Sequence, residues 1–96
     1  MKLDPNNDTV RWAVFGEEVK LFLQSPIGDF LLKRSQTEVD EAVEQLKTVD
    51  PHDWHRIQEQ QNKIAVAEMF QTWLGDAIAA GEQAKIQLME EDDNAS

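Results

Sequence analysis

Apolar residues return with a helical period along most of this chain, most clearly after residue 50. Ile57, Ile64, Gln71 and Ile78 fall seven apart, and Gln61, Glu68 and Gly75 form a companion row. Ala65, Met69, Trp73 and Ala77 recur every four residues. One broad seam on a single helix follows, running from Pro51 to about Ala80. Gly81 either ends that helix or only weakens it. If it continues to Met89, Ile86 and Met89 present apolar groups with few partners in the chain. Residues 90–96 carry four consecutive acids, Glu90 to Asp93, and are expected to form a disordered acidic tail.

Two earlier helices precede it. Residues 1–7 show no periodicity and are expected to be a loose arm; helix one then spans 8–23, with Asp8 or Thr9 as its cap. Val10, Val14 and Leu21/Phe22 make one row, with Trp12, Phe15 and Val19 beside it. Gly16 permits either a close approach or a bend. Ser25-Pro26 is the sharpest punctuation in the chain. Proline disfavours helical geometry at the residue before it and suits the first position of a new helix, so Ser25 caps helix two over 26–48. Asp29 adds a negative charge to its first turn. Its buried face is expected to begin with Ile27, Phe30, Leu31 and Arg34 and to continue through Glu38, Ala42 and Leu46. Asp50-Pro51 repeats the device, and a short connection between two long helices makes an antiparallel hairpin. The predicted fold is all-α: an N-terminal helix plus a long antiparallel helical hairpin in a single domain, 1–96.

Composition narrows the possible chemistry. The net charge is −10, from nineteen acids and nine bases. Phosphate binding needs clustered Lys and Arg, so direct nucleic-acid binding is not expected. With no cysteine, disulfide and thiolate chemistry are absent. Neither a signal peptide nor a membrane-spanning run is legible, so the chain reads as intracellular and membrane-free.

His52 and His55, with Asp50 and Asp53, sit at the hairpin turn, yet no further ligand completes a zinc set, and no metal or cofactor is expected. Paired carboxylates lie on exposed faces rather than in desolvated pockets, and the glycines are isolated, so neither acid–base catalysis nor a phosphate loop is expected. The acidic face of helix two comprises Glu38, Asp40, Glu41 and Glu44. Gln61 and Glu68 interrupt the seam and are expected to make register-setting contacts, with Arg34 the partner for a buried Glu68. Trp12, Trp54 and Trp73 are core residues by default; an exposed tryptophan marks a binding face.

Two stretches, Phe22 to Leu32 (FLQSPIGDFLL) and Gln61 to Leu74 (QNKIAVAEMFQTWL), resemble a group of small helical proteins encoded by tailed bacteriophages and prophages near head and packaging genes. The similarity spans roughly residues 12–88. Its motifs are structural, so it implies a role and no catalytic residue: virion assembly or host takeover, in the host cytoplasm or with the virion. The leading expectation is therefore a non-enzymatic module that self-associates or docks on another phage or host protein. Trp12, Phe15, Phe70, Trp73, Leu74, Ile86 and Met89 are its contact candidates, because three helices cannot cover them all. The alternative is an acidic inhibitor, a nucleic-acid mimic or anti-defence protein directed at a basic partner surface.

Overall fold

The protein, described by a computed structural model over residues 5–95, is all-helical: α1 (Pro5–Gln24), α2 (Pro26–Thr48) and α3 (Trp54–Ala95). Residues 1–4 of the expected arm lie outside the described residues, but 5–7 are already helical.

The α1–α2 junction follows the predicted punctuation. Ser25 is extended (φ −72°, ψ 156°), and its hydroxyl accepts a hydrogen bond from the Gly28 amide at 3.1 Å, with Pro26 opening the helix. Asp29 pairs with Lys33 at 2.9 Å along the exposed side of the first turns. Gly28 is buried beneath the end of α1, and a Cβ there would run into the Phe22 carbonyl.

The second junction differs from expectation. Pro51 and His52 form a turn in which the Asp53 amide donates to the Asp50 carbonyl (2.9 Å) and the His52 amide to the Asp50 carboxylate (2.9 Å). The helix cap is Asp53, whose carboxylate accepts from the Arg56 amide at 3.2 Å, so α3 begins at Trp54 rather than Pro51. At the other end α3 runs through Gly81 and the acidic stretch to Ala95. Of the two outcomes left open at Gly81 the helix continues, and residues 90–95 of the expected disordered tail are helical, with Ser96 outside the described residues.

This 42-residue helix is about 63 Å long at 1.5 Å per residue. The whole molecule measures 65 × 29 × 25 Å. Its radius of gyration is 19.4 Å, against about 12.5 Å for a compact chain of this length. The shape is a rod because α1 and α2 lie against successive halves of α3. Ser35 meets Gln71, while Glu41, Ala42 and Gln45 share a groove with Arg56 and Gln60. On the other half Val19 lies beside Trp73 and Leu74, Gly16 lies on Gly81, and Asp8 shares a hollow with Gln83 and Gln87. Along both α1 and α2, residue numbers rise as those on α3 fall.

The contact between helices is made by small residues. Gly28, Ser35 and Ala42 are the buried positions of α2, seven apart, and Ala13 and Gly16 are buried in α1. Ala67, Gly81 and Ala84 answer them from α3. Small side chains let backbones come close, as at Gly16, where an added Cβ would lie 2.8 Å from the Gly81 Cα. Large apolar groups then have no room between the axes and stand along the flanks. The expected buried start of α2 is therefore shifted by one position: Ile27 and Phe30 are 63% and 62% exposed, and Leu31 and Arg34 are exposed too.

The companion row on α3 shifts likewise. Gln60, Ala67, Leu74 and Gly81 line the contact beside Ile57, Ile64, Gln71 and Ile78, whereas Gln61, Glu68 and Gly75 are exposed. The expected Arg34–Glu68 pair does not form, since Arg34 binds Glu38 one turn along its own helix. The polar link across this contact is instead Gln71, whose amide donates to Ser35 Oγ (3.1 Å) and Gln36 Oε1 (3.2 Å). On the α1 half, Glu17, Lys20, Glu82 and Lys85 form alternating ion pairs that bridge α1 and α3.

Candidate interaction face

Among the described residues no large side chain is fully buried, and the buried apolar residues are Ala13, Val19, Ala42, Ala67 and Ala84. Sixteen large apolar residues among those described are exposed instead, including all three tryptophans. The core placement expected for Trp12, Trp54 and Trp73 is thus overturned, for the same reason that shifted the seams.

Several of these side chains share one flank of α3. On the α1 half, Trp12, Phe15, Val19, Trp73, Leu74, Ala77 and Ala80 line an apolar groove of about 480 Å³. Trp12 and Phe15 meet edge to face with ring centroids 6.0 Å apart, which holds both rings as one wall. Trp73 forms the opposite side and is 63% exposed. On the α2 half, Leu31, Val66, Ala67 and Phe70 line a second groove of about 610 Å³, bordered by Arg34, Glu38, Glu59 and Lys63. Phe70 and Trp73 stand one turn apart, so the two grooves abut on the same flank.

Five of the seven contact candidates, Trp12, Phe15, Phe70, Trp73 and Leu74, therefore converge on this flank. Ile86 and Met89 do not. Ile86 lies thirteen residues beyond Trp73, a rotation of about 140° around the axis at 100° per residue, so it projects from the opposite flank. Val66 and Leu31 were missed. The signal was available, since Val66 repeats Trp73 one heptad earlier and Leu31 follows Ile27 by one turn.

The acids of α2 lie on one half of the helix circumference but are divided among different partners. Glu38, Asp40, Glu41 and Glu44 spread over about 160° of the helix circumference. Glu38 and Glu41 share a polar groove with Arg56 and Lys63; Asp40 accepts from Gln36 (2.9 Å) and Glu44 pairs with Lys47 (2.8 Å). At the turn, His55 stacks on Trp54 at 3.9 Å, and among the described residues no three His, Cys, Asp or Glu side chains gather as a metal site would require. None of the described helices is long and apolar enough to cross a membrane. The chain matches no family model, no curated protein and no solved structure.

Proposed function

We propose that this chain is a non-enzymatic interaction module, a helical hairpin of α2 and α3 extended by α1, that completes its fold by self-association. The observation that carries the proposal is surplus surface. The accessible area is 7343 Å², whereas a folded monomer of 11.0 kDa exposes about 5,600 Å². The excess is roughly 1,700 Å² per chain. Two copies hiding only that excess would bury about 3,400 Å², within the 2,000–5,000 Å² of obligate homodimers. Five of the exposed large apolar residues, Trp12, Phe15, Leu31, Val66 and Trp73, line the two abutting grooves and so form one continuous strip, which is how interaction sites differ from scattered exposed leucines.

The resemblance of Phe22–Leu32 and Gln61–Leu74 to tailed-phage proteins supplies the setting: assembly or packaging of a virion, in the host cytoplasm or within the particle. The converging flank, rather than the divided acids of α2, is the surface this role would use.

Sedimentation equilibrium over a hundredfold concentration range tests the proposal. The expected mass is a multiple of 11.0 kDa, with monomer appearing only at high dilution. A monomer throughout the range overturns it.

A further inference from the structure

The two halves of the exposed flank are unlike, and the difference specifies how two copies would meet. The α1 half carries the large rings, Trp12, Phe15 and Trp73. The α2 half carries the wider groove, floored by Ala67 and edged by Val66 and Phe70. Their charges differ as well. Asp76 borders the aromatic half and has no cationic partner among the described residues, while Lys63 borders the groove and makes only an exposed contact of 3.8 Å with Glu59.

Resting on the self-association proposed above, we infer that the occupant of this face is a second copy of the chain, packed antiparallel about a two-fold axis beside Phe70. In that register the α3 helices run in opposite directions, and residues whose numbers share one total face each other. Trp73 lies over Val66 of the second copy, Asp76 over its Lys63, and Ala80 over its Glu59. Each aromatic half enters the other copy's groove, and symmetry repeats the fit. A parallel pairing would set Asp76 against Asp76 and Lys63 against Lys63, leaving both grooves unfilled and like charges opposed. The product is a four-helix cross-section made by two rods.

The absence of native cysteine makes the geometry directly readable by single-cysteine cross-linking. Phe70→Cys is expected to form a disulfide-linked dimer under mild oxidation. Ala80→Cys alone is expected to stay unlinked, and to link efficiently when mixed with Glu59→Cys. Efficient self-linking of Ala80→Cys, or no linking between Ala80→Cys and Glu59→Cys, overturns the antiparallel register. Sedimentation of the native chain separates the two proposals: a dimer with the wrong cross-links removes this inference alone, whereas a monomer removes self-association itself. Trp73→Ala provides an independent reading. Trp73 is exposed in the single chain, so its helicity should be unchanged while the dimer dissociation constant rises at least about 30-fold, as for an interface anchor. An unchanged dissociation constant counts against this face.

Discussion

Gly16 and Gly81 cross backbone to backbone: a Cβ on Gly81 would lie 2.7 Å from the Gly16 Cα and 3.1 Å from the Trp12 carbonyl oxygen. The contact explains why a helix of 42 residues contains a glycine two-thirds of the way along without ending there. What Gly81 lacks in helix propensity is offset by the approach of α1, and the ion pairs among Glu17, Lys20, Glu82 and Lys85 straddle the crossing.

Gly16→Ala and Gly81→Ala are accordingly expected to destabilise the fold. Alanine improves helix propensity by about 1 kcal/mol, but the methyl meets backbone that cannot turn aside, and overpacking costs about 1–3 kcal/mol. Gly75 supplies the control, since a Cβ there meets nothing within 4 Å. Gly75→Ala should stabilise by up to about 1 kcal/mol. Thermal unfolding at a fixed protein concentration decides the matter; equal shifts for Gly75→Ala and Gly81→Ala would refute the close-approach account.

At the α1–α2 corner, Ser25→Ala removes the acceptor for the Gly28 amide and should cost about 1 kcal/mol. Gly28→Ala should cost more, because its methyl collides with the Phe22 carbonyl and the corner must open. If urea unfolding ranks the two variants in the opposite order, the corner is held by the cap and not by the close packing.

The link from Gln71 to Ser35 invites a comparison of hydrogen bond with size. In Gln71→Leu, Ser35 keeps its 2.7 Å bond to the Leu32 carbonyl, so no buried hydroxyl is orphaned and the change should stay within about 1 kcal/mol. Ser35→Leu inserts bulk into a contact of small residues and should cost about 1–3 kcal/mol. Chemical denaturation distinguishes them, and a larger loss for Gln71→Leu would mean that the polar link dominates.

Among the acids of α2, Asp40 and Glu44 are exposed and have only local partners, Gln36 and Lys47. Joint reversal to Asp40→Lys and Glu44→Lys should alter stability by no more than about 0.5 kcal/mol per site and leave sedimentation unchanged. Loss of association in that variant would transfer the functional surface from the apolar flank to the acids.

The ion pairs beside the glycine crossing should matter little by themselves. Lys85 and Glu17 remain 37% and 45% exposed, so Lys85→Gln is expected to cost at most about 1 kcal/mol, less in 1 M salt. A loss comparable to that of Gly81→Ala, measured by thermal unfolding, would contradict this ranking.

Local chemistry is where the amino-acid sequence by itself was decisive. Ser25-Pro26 set the start of α2 because a cap and a proline act within one turn, and the seven-residue row from Ile57 to Ile78 marked α3 as a helix packed along one side. The all-helical class and the nomination of Trp12, Phe15, Phe70, Trp73 and Leu74 as contact candidates could be read at that level, but their convergence on one flank could not. The tertiary structure alone decided which side of each helix is buried. A pattern of large apolar residues points to the core only when the helices stand far enough apart to admit them. Here Gly28, Ser35 and Ala42 on α2, and Gly16 with Gly81 between α1 and α3, bring the axes close. The seam therefore moves by one position, Gly81 becomes part of a continuous helix, and the tryptophans stand outside. That inversion follows from interhelical distance, which only the packed chain sets.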